Sequence, residues 1–538
     1  MRIASAQINS TLGDFQANAE KVLDFVNRAL ERRCDLVVFP ELSLFGYWPA
    51  DLLERKSNIE AQLKALNWLQ KKIPEGIFVL VGAVTKNNSK FGKLYFNSAV
   101  LLRKAKKPVE FHKELLPNYD VFDEMRFFEK GDLSKNSFVL KGKRVLVTIC
   151  EDIWASGQAW VGTRYTKNPI DSLKGKKFDL AVNLSASPFS IDKVKRRKSV
   201  ATYLAKKIKG PVIYTNMVGA QDEIIFDGGS FAVDQSGKPL MQSSFFEEDL
   251  NVIDFDEKKA GHRKNITEIE KLRQSLVLGI RDFASKNGIQ RLHLGLSGGI
   301  DSALVACLAV DAIGPGRVSL IYMPGPHSSD LSGSLAVELS KNLGCKLTQF
   351  DINPSYQTTL NSIEKDFGHS GFGLVNENLQ SRLRAVFLMA FSNQNNSMLL
   401  NTSNKSEMAV GYSTLYGDQC GGLAPIGDLL KTQVFQLSRH YNSDHEVIPN
   451  AIIEREPTAE LAPNQKDQDS LPEYSVLDKA IQKIVVECRA PSTSTDKWLI
   501  EKLRQSEFKR WQAPPVLRVS QHAFGRGRRF PITNKSAF

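Results

Sequence analysis

No run in this sequence approaches the roughly 20 consecutive apolar residues that span a bilayer. Its start, Met1 to Ile8, reads as a strand and not as a signal peptide. Cysteine is scarce, six in 538 residues (Cys34, Cys150, Cys307, Cys345, Cys420, Cys488), and no two form a CxxC pair. That spacing excludes a CxxC-type zinc site or redox motif, and scattered thiols in a large chain read as reduced. These absences predict a cytoplasmic protein with no membrane partner. Internal repeats, low-complexity tracts, zinc fingers and RNA-recognition motifs are absent too. Lys plus Arg exceeds Asp plus Glu by 71 − 59 = 12, but the excess is dispersed in short clusters, at Lys104 to Lys107, Lys193 to Lys198 and Arg526 to Arg529. Those clusters read as solvated faces, with no nucleic-acid partner.

What is present is enough material for two domains. A chain of 538 residues exceeds what one core usually supports, and 42% hydrophobic with 24% charged residues is ordinary for a globular protein. The first half alternates β-branched runs with helical stretches. Strands are predicted at 2–9, 35–40, 77–84, 95–103, 144–150, 180–184, 211–216 and 229–234, and a helix at 15–33. That alternation predicts α/β layers. The stretch from Asp254 to Ile266 is charged and poor in apolar residues, which sets a boundary between a domain at 1–257 and one at 258–538. Beyond it, a helix at 268–286 and a strand at 290–296 lead into a glycine-rich loop. The proline-punctuated stretch Glu456 to Tyr474 reads as a long ordered or partly mobile loop, of a length that is commonly functional, and the Gly/Arg-rich end, 525–531, as a solvated tail, with a clamp on phosphate as the alternative.

Three residues of the first half carry a chemistry together that none carries alone. Cys150 follows the apolar run Val145 to Ile149, and by itself reads as a small buried hydrophobe. Glu41 follows the strand ending at Phe39-Pro40, and Lys113 lies in Phe111 to Tyr119. Each singly reads as a surface charge. As a set they supply what attack on an amide needs: a carboxylate to take the thiol proton, and an ammonium that favours thiolate and steadies a tetrahedral oxyanion.

The three segments resemble those of the nitrilase superfamily of carbon-nitrogen hydrolases. The resemblance implies Glu41 as general base, Lys113 as oxyanion stabiliser and Cys150 as the nucleophile that forms a thioester. It also implies an αββα sandwich for the N-terminal domain. Gly46-Tyr47, Leu116 to Glu124 and Asn183 to Phe189 are similar to the glutaminase domains of glutamine-dependent NAD+ synthetases. On that resemblance Tyr119, Ser187 and Lys193 hold L-glutamine; without it, Tyr119 reads as a core aromatic and Lys193 as a solvated charge.

In the second half, Leu294-Gly295-Leu296-Ser297-Gly298-Gly299-Ile300-Asp301-Ser302 sets small residues between a strand and a helix. Backbone N–H groups and a helix N-terminus can then approach an anion closely. Ser297 and Ser302 add hydroxyl donors, and Asp301 suits a Mg2+ ion bridging phosphate oxygens. The loop is neither GxxxxGK[ST] nor GxGxxG. It resembles the loop of the N-type ATP pyrophosphatases, which implies a doubly wound parallel-sheet domain. Glu377 to Arg384, Asn401 to Glu407, Gly411 to Asp418 and Glu507 to Pro515 resemble NAD+ synthetase segments. The resemblance implies that Thr402 joins the loop in binding ATP, that Asn378, Glu407 and Lys509 bind deamido-NAD+, and that Asp301 and Glu407 share Mg2+. Met323 to Ser329 departs from the family pattern, which has a Ser after the Pro and an aromatic near position 327.

Together these resemblances imply an enzyme that frees ammonia from L-glutamine, adenylates deamido-NAD+ with ATP and amidates it to NAD+, releasing AMP, pyrophosphate and glutamate. They also imply a homo-oligomer built on a synthetase-domain dimer. One alternative is another amidotransferase with the same loop, although Arg2 stands where an asparagine synthetase has its N-terminal cysteine. The other is a basic nucleic-acid-binding protein with degenerate catalytic domains, against which Glu41, Lys113, Cys150 and Asp301 stand intact.

Overall fold

The computed structural model describes residues 1–155, 165–255 and 266–534. Contacts divide the chain into two units, Met1–Ile266 and Thr267–Phe538. The boundary expected between 257 and 258 lies outside the described residues.

In the first unit, strand alternation sets the layers. β1 (Arg2–Gln7), β2 (Leu36–Val38), β3 (Phe78–Lys86), β4 (Tyr95–Leu102), β5 (Val109–His112) and β14 (Asp249–Asp254) form one sheet, ordered β14-β1-β2-β3-β4-β5. β6 (Ser137–Leu140), β7 (Lys143–Ile149), β8 (Leu180–Ser185), β9 (Val212–Asn216), β12 (Phe231–Val233) and β13 (Pro239–Gln242) form a second, ordered β13-β12-β9-β8-β7-β6. β10 (Val218–Gln221) and β11 (Ile224–Asp227) make a separate hairpin. Successive side chains point to opposite faces. Leu36, Val38 and Leu80 therefore meet Val145, Val147, Val182 and Ile213 of the facing sheet, whereas Val37, Val79 and Val81 meet α1 (Phe15–Glu31) and α2 (Lys56–Lys72). Each fully buried Val or Leu at such a position contributes roughly 1.5–3 kcal/mol. Helix α1 is capped by Asp14 and buries Ala19, Val22, Val26 and Ala29 on one stripe. After the single turn α3 (Glu124–Phe127), α4 (Lys193–Ile208) covers the second sheet through Val200, Ala201 and Leu204. The layers run helix, sheet, sheet, helix, as the αββα expectation has it.

The second unit opens with α5 (Glu268–Lys286) and continues β15 (Leu292–Gly295), α6 (Ile300–Ile313), β16 (Val318–Tyr322), α7 (Asp330–Asn342), β17 (Lys346–Gln349), α8 (Asn353–Phe367), α9 (Leu374–Asn395) and β18 (Met398–Leu399). Every pairing is parallel, in the order β17-β16-β15-β18. The chain winds outward from β15 to β17 and returns on the other side of β15, which opens a crevice at the carboxyl end of that strand. The glycine-rich loop sits there. α5 and α6 pack together with α11 (Lys431–Tyr441), which follows α10 (Lys405–Val410). α9 lies where His293 Nε2 meets the Leu388 carbonyl at 3.0 Å. α12 (Asn450–Glu454), α13 (Tyr474–Ile481) and α14 (Ser494–Arg510) follow, and Met408, Leu477, Leu503 and Phe524 share a core.

Two surface readings are corrected. The Gly/Arg-rich end is docked: Arg528 pairs with Glu507 at 2.7 Å and stacks over the Phe524 and Phe530 rings. Arg197, within a cluster read as solvated, is 2% exposed and binds both oxygens of Asp227, at 2.7 and 2.8 Å. A buried guanidinium needs such a carboxylate partner.

Candidate active sites

The first site is assembled from strand ends. Glu41 lies in the turn after β2, held against β3 at Gly82, where a Cβ would sit 2.3 Å from the Pro40 carbonyl oxygen. Lys113 directly follows β5, and Cys150 follows β7 with φ of +41°, a left-handed conformation at the proposed nucleophile. Asp152 ties these segments together. Fully buried, it accepts from the backbone N–H of Glu114 and Leu115 through Oδ1, and of Ile149 through Oδ2, all at 2.9 Å. Burial pushes its carboxyl up to about 7 against those donors.

Glu41 and Lys113 meet in a buried network that includes a residue the sequence reading did not single out. Lys113 Nζ lies 2.6 Å from Glu41 Oε1 and 2.8 Å from Glu124 Oε1, all three side chains fully buried. Tyr47 donates its hydroxyl to Glu124 Oε1 at 2.8 Å, Asn97 Nδ2 bridges the two carboxylates, and the Ala186 N–H donates to Glu41 Oε2 at 3.0 Å. Burial alone would depress the Lys113 ammonium, but Glu124 and Glu41 more than offset it and hold its affinity for the proton well above the ordinary value. Burial raises Glu124 to about 7. Burial and the Glu41 charge also keep the resting Cys150 thiol protonated, so a base must act at the moment of attack. Glu124 lay within the Leu116 to Glu124 segment, and its sequence signal was weak because an acidic helix start is common.

The expected glutamine contacts divide. Tyr119 donates to Glu151 Oε1 at 2.9 Å and Tyr165 donates to the same oxygen at 2.8 Å, so Glu151, next to Cys150, is a buried carboxylate framed by two phenols. Lys193 Nζ stands 5.6 Å from the Trp154 ring centroid, and burial, then Arg197, lowers it to about 8. Ser187 is bound into framework instead: its hydroxyl accepts from Arg197 Nε at 3.1 Å and its N–H donates to Asn216.

In the second unit, the loop after β15 folds on itself. Ser302, buried at the start of α6, exchanges a hydrogen bond with Ser297 Oγ at 3.1 Å, and Gly299 N–H donates to Ser297 Oγ at 3.2 Å. Gly298 has φ of +80°, and a Cβ there would lie 2.6 Å from the Ser332 carbonyl oxygen of α7. Beside the loop is a cavity of about 280 Å³ lined by Gly295, Leu296, Ser297, Gly299, Asp301, Ser302, Thr402, Glu407, Arg384, Lys431 and residues of the 456–474 stretch, among them Thr458, Glu460 and Asp467. Leu294 is fully buried in the strand and does not line it. The long stretch carries a short 3-10 turn, Asp467–Asp469, and is pinned where Glu460 accepts from the Ser329 and Ser332 hydroxyls and pairs with Arg455.

Asp301 and Glu407 converge on Lys431, which the sequence reading missed. Lys431 Nζ lies 2.5 Å from Asp301 Oδ2 and 3.3 Å from Glu407 Oε1. Asn404 caps α10 through Oδ1 while its Nδ2 donates to Asp301 Oδ1 at 2.9 Å. Burial and the Asp301 charge raise Glu407 to about 8, while Lys431 is held above its usual range against burial by Asp301 and Glu407. The two carboxylates offer the hard oxygens Mg2+ prefers, and two suit an ion that completes its shell with phosphate oxygens and water. Among the described residues, no three His, Cys, Asp or Glu side chains form a ready cation cage. Asn378 and Lys509 lie outside this cavity: Asn378 Oδ1 accepts from Thr414 Oγ1 at 2.7 Å, and Lys509 Nζ donates to the carbonyls of Gly411 and Ser413. At the departing segment, Gly325 N–H donates to Ser328 Oγ, and Phe372 supplies an aromatic edge-on to His327 at 5.2 Å.

Comparison with known proteins assigns a family to each half of the chain. Residues 2–264 match the carbon-nitrogen hydrolase family and residues 272–513 match NAD synthase. The fold and sites thus define the class, an amide hydrolase joined in one chain to an ATP-using NAD synthase. The glutamine-dependent NAD+ synthetase of Synechocystis sp. is 44% identical over 98% of each chain, and that of Thermotoga maritima 36% identical over 99% of each. The structure of glutamine-dependent NAD+ synthetase from Acinetobacter baumannii in complex with adenosine diphosphate aligns with a TM-score of 0.79 at 34% identity, over 99% of this chain and 98% of that one. The chain belongs to the glutamine-dependent NAD+ synthetase family.

Proposed function

We propose the following residue roles in glutamine-hydrolysing NAD+ synthesis. Glu41 takes the Cys150 proton, and the thiolate attacks the carboxamide carbon of L-glutamine while the Lys113 ammonium steadies the oxyanion. Collapse expels ammonia and leaves a thioester, which water cleaves to glutamate. Glu151 and Lys193 carry opposite charges beside the nucleophile and suit the ammonium and carboxylate of an α-amino acid, with Tyr119 fixing Glu151. The observation that carries this reading is the buried Lys113 shared by Glu41 and Glu124.

In the second unit, a nicotinate carboxylate oxygen of deamido-NAD+ attacks the α-phosphorus of ATP and pyrophosphate leaves. Loop N–H groups, Ser297, Ser302 and Lys431 meet the charge that gathers on the leaving group. Asp301 and Glu407 would hold Mg2+, which when bound screens phosphate charge. Thr402 lines the ATP cavity; Asn378 and Lys509 orient deamido-NAD+. Ammonia then displaces AMP from the acyl-adenylate to give NAD+.

All six cysteines are unpaired thiols, which supports a reducing, cytoplasmic setting. Val375, Val386 and Met389 are exposed along α9, which supports self-association through the synthetase unit. The test is purified protein given glutamine, ATP and deamido-NAD+, with NAD+, AMP, pyrophosphate and glutamate measured. Equal amounts of NAD+ and AMP support the reading; AMP formation that ignores deamido-NAD+ overturns it.

A further inference from the structure

Asn97, buried on β4, stands where the two glutamates of the hydrolase face each other. Its Nδ2 donates to Glu41 Oε1 at 2.8 Å and to Glu124 Oε2 at 3.3 Å, while its Oδ1 is buried with no hydrogen-bond partner. An unmatched buried acceptor is unfavourable. The amide keeps this orientation because the reverse would set its carbonyl oxygen against two carboxylates.

The donors are shared unequally. Glu41 receives Lys113 and Asn97 on Oε1 and the Ala186 N–H on Oε2. Glu124 receives Lys113 and Tyr47 on Oε1, and on Oε2 only the longer contact from Asn97. Glu124 Oε2 is therefore the oxygen best placed to carry a proton, whereas both oxygens of Glu41 are met by fixed donors. The charged and titratable groups around the pair are Lys113, Tyr47 and Cys150, with Glu151 and Asp152 beyond Lys113.

We infer that Asn97 is a positioning residue of the glutaminase, which aims Glu41 as the base for Cys150 by a close N–H donor to its carboxylate and holds it apart from Glu124. A donor to the charged form lowers a carboxyl's proton affinity, and the closer donor goes to Glu41. An Asp at this position would set a third carboxylate against the other two with no N–H to offer them, which Asn avoids. This inference rests on the base role proposed for Glu41.

The test is glutamate release by the full-length enzyme across pH, comparing the parent with Asn97→Leu, which keeps the volume and loses the N–H donors, and Asn97→Gln, which keeps them. In Asn97→Leu the acid limb of kcat/KM is expected to move up by about one pH unit, with kcat at pH 7 down about 10–100-fold and KM within about threefold. Asn97→Gln should return the limb toward that of the parent. An Asn97→Leu enzyme whose rate falls evenly at every pH, or whose loss lies wholly in KM, overturns the inference. If Asn97→Leu shows no cooperative thermal transition, Asn97→Ser is judged by the same limb. Glu41→Gln separates the two ideas: near-parent hydrolysis there removes the base assignment itself, whereas an inactive Glu41→Gln with an unmoved Asn97→Leu limb overturns the Asn97 role alone.

Discussion

Asp301 and Lys431 stand 130 positions apart in the chain and 2.5 Å apart in the fold. The contact places one ammonium between Asp301 and Glu407, two carboxylates that would otherwise repel across the mouth of the phosphate loop.

Lys431→Gln should therefore lower NAD+ synthesis from either glutamine or ammonia by about 100-fold or more, the scale of losing one fixed donor to a developing charge. Glutamate release should change little. Progress curves for NAD+ and glutamate on the same preparation check both statements.

Asp301→Asn should also abolish synthesis with either nitrogen source, because an amide is a much weaker ligand for Mg2+. Titrating MgCl2 should show an increased requirement wherever residual activity is measurable. Near-parent NAD+ formation from ammonia would remove Asp301 from the metal role.

Cys150→Ala should lose synthesis from glutamine and keep it from ammonium salts, more visibly at higher pH where NH3 is more abundant. A reactive glutamine analogue should label Cys150 and none of the other five thiols, as peptide mass mapping would read. Persisting glutamine-driven synthesis would falsify the nucleophile assignment.

Lys193 gives a pH prediction with a defined sign. With its proton affinity lowered to about 8 by burial and then by Arg197, it is an ammonium below that pH and neutral above it. The KM for glutamine should stay level below pH 8 and rise toward tenfold per pH unit above it, as the substrate carboxylate loses its counter-charge. In Lys193→Arg, which keeps its charge at these pH values, the rise should vanish.

Legibility in the sequence followed burial. The strands at 36–38, 78–86, 180–185 and 212–216 are mostly apolar because both their faces are largely covered, and they stand out by composition. β5 and β6 lie at sheet edges and each buries a single residue of four, so their alternation is faint. α4 was hidden by its own charge, since Lys193 to Lys198 precede the stripe Val200, Ala201 and Leu204. Of the candidate sites, Ser297, Asp301, Thr402 and Glu407 could be named from continuous motifs, and they line one cavity. Glu124, Asp152 and Lys431 could not, because their roles come from contacts across the fold and nothing local marks them. Arg528 misled for the same reason: its partner Glu507 is a neighbour only after folding.

The close approach of Gly298 to α7 bears on how this gene can vary. Any side chain at 298 would meet backbone of Ser332, which cannot swing aside as a flexible side chain can, and the positive φ adds its own penalty. A Cβ at Gly295 would instead meet the Leu388 and Met323 side chains at 3.5 and 3.6 Å, ordinary contact distances. Two glycines three codons apart are thus under different constraints. Packing alone would admit alanine at 295, where the constraint is instead the cavity it lines, whereas 298 stays closed unless the α7 backbone itself moves away.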